Sequence, residues 1–120
     1  MDATIEPSAP ELVHLPDIPG AGGVVWSASP GCHVNLVVLD EGTGIGAHRN
    51  DEVDVLMVVL DGGATVAIGD REVSARTGDA IVMPRGAVRS VAAGGLGVRY
   101  LTVHAERRAL DISPRGVRDV

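Results

Sequence analysis

Two short segments of the sequence bring together side chains that could do chemistry. Residues 42–55 contain His48 followed by the polar run Asn50–Asp54, and residues 78–89 end on Arg89. A neutral imidazole can take up or release a proton near pH 7. A guanidinium carries a permanent positive charge that can bind a carboxylate, phosphate or enolate oxygen. His48 and Arg89 are therefore the candidate catalytic pair for proton transfer on a small anionic or enolisable molecule.

The polar run after His48 supplies candidate binding residues, each with a structural alternative. Asn50 could hydrogen-bond a ligand oxygen or hold the turn that follows it. Glu52 and Asp54 could orient the imidazole or the guanidinium, or could lie in a solvated loop. They could also form an ion pair with Arg89, and such a pair could open when an anion binds.

The remaining candidates for substrate binding lie on predicted strands. Val55 and Met57 alternate on one strand, a pattern that fits the lining of a pocket and a plain core equally well. His33 is in phase with Asn35, so it would join the pocket if that face of its strand points inward. His104, near the end of the last predicted strand, could belong to the pocket, the core or the surface.

The elements that must position these residues are short apolar runs rich in valine, separated by Gly, Asp and Pro. The predicted strands are Val24–Ser27, His33–Leu39, Val53–Leu60, Thr65–Ile68, Arg71–Val73, Ala80–Met83, Val88–Ala92 and Val98–His104. Many short strands at this spacing predict an all-β sandwich or closed barrel in one domain.

The barrel is predicted over residues 24–104. The Pro-rich residues 1–23 are predicted to be an extended arm, with at most short strand pairing near Leu12–His14, because proline interrupts a helix. Residues 105–120 are predicted to be a tail whose helical candidate is Glu106–Ile112. The two aromatic residues of the chain, Trp26 and Tyr100, are assigned to packing or to a dimer interface.

The glycine and proline skeleton of the two segments resembles the two motifs of the cupin superfamily, in its small, single-domain, RmlC-like form. Gly42 lies six residues before His48 and Gly62 closes the first motif. Three residues fall on the positions of the second motif: Gly78, Pro84 and Gly86. The resemblance implies a double-stranded β-helix (jelly-roll) barrel of roughly eight to ten strands, a homodimer, and a pocket for a small molecule inside the barrel.

The family resemblance also implies a divalent metal, held by two His and a Glu of the first motif and a His of the second. Here His48 keeps the first position, Asn50 takes the second and Arg89 takes the fourth. The third position falls on Val55 with a four-residue spacer, or on Asp54 with a three-residue spacer that brings Gly62 one residue late. A guanidinium stays protonated and repels a nearby metal, and stable sites use three or more good donors. The sequence therefore predicts no metal cofactor, although a divalent metal stays possible.

Three functions remain open at this point. The first is metal-independent proton transfer, of isomerase, cyclase or lyase type, by His48 and Arg89. The second is a non-catalytic module that binds or senses a small molecule in the same pocket. The third is a metal-dependent cupin, a dioxygenase or isomerase, with an irregular site. Its ligands would be His48, a carboxylate of Glu52 or Asp54, and His33 or His104.

The composition disfavours several other classes of protein. The 120 residues carry 10 basic residues, all of them arginine, against 16 acidic ones, so the net charge is −6. This acidic composition disfavours binding to nucleic acid or to an anionic membrane, because both need clustered positive charge. Cys32 is the sole cysteine, so no internal disulfide forms. The N-terminal residues lack the basic start and apolar run of a signal peptide, and the sequence predicts a cytoplasmic protein.

Overall fold

The computed structural model describes residues 10–106, and valine-rich runs form most of its strands, which lie between Gly23 and Ala105. The strands are β1 (Gly23–Ala28), β2 (Cys32–Leu39), β3 (Gly44–Arg49), β4 (Val55–Ile68), β5 (Arg71–Arg76), β6 (Ala80–Met83) and β7 (Val88–Ala105). A three-residue 3-10 turn, Leu15–Asp17, precedes them. The predicted all-β fold is confirmed.

The two longest strands, β4 and β7, each join two strands that the sequence predicts as separate. The glycines expected to end these strands bend them instead, and the pairing of β4 with β7 shifts register at Val59/Asp61 and again at Gly62/Ala64. The described part of the chain therefore has seven strands, fewer than the family resemblance implies.

At this bend the backbones of the paired strands β4 and β7 lie so close together that glycine is required. Gly62 has φ +82° and Gly97 has φ +74°, a left-handed conformation that other residues rarely adopt. A Cβ atom at Gly62 would overlap the backbone carbonyl oxygen of Gly97, and one at Gly97 would lie 2.8 Å from the Leu39 carbonyl oxygen. Gly62, the glycine that closes the first motif, thus allows β4 and β7 to approach this closely.

Strand β3 was not predicted, because its glycines have low intrinsic strand propensity. It forms by pairing with β7, in a register that sets Ile45 opposite Val91 and His48 opposite Arg89, with an irregularity between Ile45 and His48. A Cβ atom at Gly44 would overlap the Val91 carbonyl oxygen. The pairing, rather than local propensity, therefore builds the strand that carries His48.

The topology folds the long strands into both halves of a jelly roll. One end of β4 pairs with β6 and the other with β5. One end of β7 pairs with β2 and the other with β3, while β1 extends the sheet beyond β2. The core contains residues of both halves of the jelly roll and is apolar and non-aromatic except for one tyrosine. Its residues are Val37, Leu39, Val55, Met57, Val59, Ala64, Val66, Ala75, Met83, Val91, Val98 and Tyr100.

The N-terminal arm is attached to the barrel by Arg99. Its Nη2 donates hydrogen bonds to the carbonyl oxygens of Leu15, at 2.7 Å, and Ile18, at 3.1 Å. The segment Leu12–His14 forms no strand. Residues 1–9 of the predicted arm, residues 107–120 of the predicted tail and nearly all of the helical candidate Glu106–Ile112 lie outside the described residues.

Between residues 10 and 106, no helix is long and apolar enough to cross a membrane.

Candidate functional site

A cavity of about 420 Å³ is lined by candidate residues of both motifs: His48, Asn50 and Val55 of the first and Arg89 of the second. Its lining residues are Val24, Asn35, Val37, Ile45, His48, Arg49, Asn50, Val55, Met83, Arg89, Val91, Tyr100, Thr102 and His104. This volume is typical of sites for small organic molecules. A second, more open groove of about 640 Å³ lies around Asp40, Glu41 and Asp61 and contains neither His48 nor Arg89.

Arg89 is a buried cation that has no counter-charge among residues 10–106. Its residue is 6% exposed, and its Nη1 atom is buried with no hydrogen-bond partner. Its Nε donates to Nε2 of His48 at 3.3 Å, and no carboxylate among residues 10–106 forms an ion pair with it. Burial lowers the pKa of Arg89, and the neighbouring Tyr100 opposes that shift. The guanidinium nevertheless stays charged, so this buried charge needs an anion.

The hydrogen bonds of His48 fix its tautomer. Nδ1 lies 2.9 Å from the Gly46 carbonyl oxygen, which can only accept, so Nδ1 carries the proton. Nε2 then offers a lone pair, and this lone pair accepts the Arg89 Nε–H. His48 is therefore a neutral imidazole that holds the guanidinium in place, and the side chain is exposed at the mouth of the cavity.

The ion pair considered between Arg89 and Asp54 does not form. Asp54 Oδ1 instead accepts a hydrogen bond of 2.8 Å from the backbone N–H of Arg85, and it lies 3.9 Å from Arg85 Nε. Neither Asp54 nor Glu52 lines the cavity; both are exposed, on the turn that follows β3. Asp54 faces Arg85 because the turn directs it away from β7.

Asn50 has the structural role that the sequence left open, and it also lines the cavity. Its Oδ1 accepts hydrogen bonds from the backbone N–H groups of Glu52, at 2.9 Å, and Val53, at 3.2 Å. Its backbone oxygen accepts from Gly86 N at 2.8 Å. Asn50 thereby joins the turn of the first motif to the Pro-x-Gly turn of the second.

The apolar candidates of β4 separate into one cavity residue and one core residue. Val55 lines the cavity, whereas Met57 is 0% exposed and packs in the core. Both point to the inner face of β4, as their alternation predicts. Val55 stands at the end of the strand, where the cavity opens, and Met57 lies deeper, where neighbouring side chains cover it.

The inner face of β2 is the face that carries His33, Asn35 and Val37. Asn35 and Val37 line the cavity, and His33 stacks on His104 of β7 with ring centroids 5.0 Å apart. His33 itself lies outside the cavity lining, and His104 lies within it. Register explains the stack, because His33 and His104 are direct cross-strand partners.

Sequence reasoning missed Tyr100 and Thr102 as cavity residues. They alternate with His104 on the inner face of β7, and all three line the cavity. The alternation is visible in the sequence, but nothing in the sequence shows which face of the strand points inward. Tyr100 is 3% exposed, and its hydroxyl makes no hydrogen bond to any residue between 10 and 106.

Burial raises the pKa of Tyr100 to about 12, although the Arg89 charge acts in the opposite direction. The phenol therefore stays neutral in the folded protein at pH values where a tyrosine of the unfolded chain ionises. The unfolded state then binds fewer protons than the native state, so stability must fall as pH rises from about 10 to about 12. Over this range we expect a loss of about 2–3 kcal/mol of unfolding free energy from this group.

Urea unfolding at pH 8, 10 and 11 measures this effect. Tyr100→Phe removes the phenol and should flatten the alkaline decline. An equally steep decline in the variant would assign the pH dependence to other groups. Because the chain has a single tyrosine, absorbance at 295 nm reports the ionisation of Tyr100 alone.

The divalent metal that the family resemblance implies does not fit the residues present. The lone pair of His48 Nε2 faces a guanidinium, Asn50 Oδ1 is held by two backbone N–H groups, and Val55 offers no donor. Among residues 10–106, no three His, Cys, Asp or Glu side chains come together as a metal site would require. The donor set instead suits an anion.

Comparisons with known proteins agree with this fold. The family model described as "Cupin domain" matches residues 35–104. The TT1209 protein of Thermus thermophilus superposes with a TM-score of 0.72 at 23% identity, over 81% of this chain and 98% of that one. The Cnp3 cupin domain of Schizosaccharomyces pombe gives 0.70 at 19% identity, over 88% and 80%.

A conserved Streptococcus pyogenes protein of unknown function, SPY1581, is 26% identical, with a TM-score of 0.60 over 68% of this chain and 70% of that one. No curated protein matches the sequence.

Proposed function

This chain belongs to the cupin domain family, and we propose that it binds a small organic anion inside its barrel and transfers a proton on it without a metal. The observation that carries the proposal is the buried, unpartnered Nη1 of Arg89 in the wall of the cavity. A carboxylate or an enolate oxygen would satisfy this donor by a charge-assisted hydrogen bond. The ligand class is therefore a small carboxylate or 2-oxo acid.

The cavity also suits the non-ionic part of such a molecule. Aliphatic side chains cover one side of the space, and they are Val37, Ile45, Val55, Met83 and Val91. Polar side chains of β2 and β7 occupy another side, with Asn35 and Thr102 among them. A short carbon chain beside an acid group matches this division between apolar and charged surface.

Anion binding would change the state of His48. The Arg89–His48 hydrogen bond is long, at 3.3 Å, and its acceptor is a neutral imidazole. An anionic oxygen is a stronger acceptor for a guanidinium than a neutral nitrogen. The ligand would therefore draw Arg89 away from His48 and release the lone pair of Nε2.

Released in this way, His48 acts as the general base. Nε2 takes a proton from the carbon next to the ligand carbonyl. The C–H electron pair forms a C=C bond, and the π pair of the carbonyl moves onto its oxygen to give an enolate that Arg89 stabilises. The imidazolium returns the proton to the same or to another carbon. Return to another carbon is an isomerisation, and return in D₂O places deuterium on the substrate.

Deuterium exchange tests the catalytic half of this proposal. We expect the protein to accelerate exchange of the C3 protons of small 2-oxo acids in D₂O, with pyruvate as the first probe, as followed by ¹H NMR. His48→Gln keeps a hydrogen-bond acceptor for Arg89 but has no base, so exchange should fall by at least about 100-fold. His33→Gln changes an imidazole outside the cavity lining and is the matched control.

Two outcomes would count against catalysis. Exchange at the buffer rate with every 2-oxo acid that binds would leave a binding module without chemistry. Equal exchange by wild type and His48→Gln would remove His48 from the mechanism. The proposal also retains the cytoplasmic homodimer that the sequence and the family resemblance imply, and light scattering in solution measures the mass of the assembly.

A further inference from the structure

We propose that Tyr100 is the second recognition group for the ligand, and that its hydroxyl donates a hydrogen bond to the same anionic group that Arg89 binds. This inference rests on the proposed anion site. It assigns a specificity-determining role to a residue that sequence reasoning placed in packing. Tyr100 and Arg89 lie on opposite halves of β7, and both line the cavity.

The first support comes from three polar residues of the cavity lining that already have hydrogen-bond partners: Asn35, Thr102 and His104. Asn35 Nδ2 donates to Thr102 Oγ1 at 3.3 Å, and Asn35 Oδ1 accepts from Ser27 Oγ at 2.7 Å. His104 Nδ1 lies 2.8 Å from the Ala105 carbonyl oxygen. These bonds hold the wall of the cavity in shape.

The second support is that the Tyr100 hydroxyl has no hydrogen-bond partner among residues 10–106. Its residue is 3% exposed, yet no residue between 10 and 106 accepts or donates a hydrogen bond at its hydroxyl. Buried tyrosines ordinarily find a partner for the O–H group. Among residues 10–106, Arg89 Nη1 is the fully buried side-chain atom without a partner, so the unpartnered Tyr100 hydroxyl keeps access to the cavity that both residues line. An oxygen ligand in that cavity would supply acceptors to both donors.

Electrostatics favours a shared ligand group over two independent ones. Burial lowers the pKa of Arg89 and raises that of Tyr100, and the charge of each group partly opposes the shift of the other, so the two side chains lie close enough to interact. A neutral phenol beside a cation is a donor and not a base, so it adds a hydrogen bond to an oxyanion without competing for Arg89. The arrangement therefore selects carboxylate or enolate oxygen over halide ions, which gain little from a second directional donor.

An acetate titration followed at the arginine side chain tests this assignment. The probe is acetate, and the readout is the ¹H–¹⁵N resonance of Arg89 Nε in the wild type, in Tyr100→Phe and in Thr43→Val. The tyrosine change removes only a hydroxyl without a partner, so the fold should persist. Thr43→Val is the matched control, because it removes a hydroxyl that lies outside the cavity lining and is bonded to the Asp40 carbonyl oxygen at 2.7 Å.

We expect acetate to bind Tyr100→Phe about 10- to 100-fold more weakly than the wild type, and to bind Thr43→Val within about 3-fold of it. Chloride binding should be similar in all three proteins. Unchanged acetate affinity in Tyr100→Phe would overturn the role of Tyr100 and leave the Arg89 site standing. No shift of the Arg89 resonance in the wild type would instead overturn the anion site itself, and the Tyr100 assignment with it.

Discussion

Replacing Arg89 by methionine is expected to abolish anion binding and, at the same time, to stabilise the fold. Loss of a buried charge that contacts a ligand anion typically weakens binding by 2–5 kcal/mol, so we expect at least about a 30-fold fall in acetate affinity. Nη1 of Arg89 is buried without a partner, so the ligand-free protein carries an uncompensated charge in its wall. An apolar side chain of similar length removes that cost.

The expected gain in stability is about 1–3 kcal/mol of unfolding free energy, after allowing for the hydrogen bond that His48 Nε2 loses. Urea unfolding and acetate titration on the same samples measure the two effects. Arg49→Met is the matched control, since Arg49 also lines the cavity but is exposed and paired with Asp51 at 2.9 Å. Its stability should change by less than about 1 kcal/mol.

A destabilised Arg89→Met protein would contradict this account, because it would show that the guanidinium is well satisfied without a ligand. Opposite effects on stability and binding are the signature of a residue kept for function. Neither effect alone would be as informative, since many substitutions in a cavity wall weaken binding.

Gly62→Ala is expected to cause a larger loss of stability than alanine at any other glycine between residues 10 and 106. The residue sits at φ +82°, where an L side chain is strained, and the added Cβ would overlap the backbone carbonyl oxygen of Gly97. Strain of this kind costs about 1–3 kcal/mol, and the backbone overlap forces the two strands apart. We expect a total loss of about 3 kcal/mol or more.

Gly95→Ala provides the comparison within the same bend of β7. Nothing lies within 4 Å of a Cβ atom at Gly95, and its φ is outside the left-handed region. Its unfolding free energy should stay within about 1 kcal/mol of wild type. Urea unfolding of the two variants side by side decides the matter, and equal stabilities would mean that the crossing of β4 and β7 tolerates a side chain at Gly62.

The sequence predicted the framework of the fold because turn residues act locally. Gly62, Gly78, Pro84 and Gly86 occupy positions where the backbone itself needs that residue type, so their spacing identified the barrel. Strand β3 was missed for the opposite reason. Its glycines have no strand preference of their own, and the pairing with β7 that orders them is a contact between residues far apart in the chain.

The sequence predicted which residues form the candidate site better than it predicted the contacts between them. His48 and Arg89 came from the motif positions, but their hydrogen bond depends on the register and irregularity of β3, which no local pattern encodes. Tyr100 packs in the core as predicted, but its place in the cavity lining was missed because alternation cannot say which face of β7 points inward. Met57 illustrates the same difficulty, since it shares an inward face with Val55 but lies where the core is closed.

If the cavity holds an anion at Arg89, acetate and acetamide must differ in their effect on the protein. Thermal unfolding in the presence of each compound tests this most directly. The two molecules have nearly the same shape, and only acetate carries a charge. At constant ionic strength, we predict that acetate raises the unfolding midpoint of the wild type, that acetamide does not, and that neither affects Arg89→Met. Equal stabilisation of wild type and Arg89→Met by acetate, or none in the wild type, would contradict the claim.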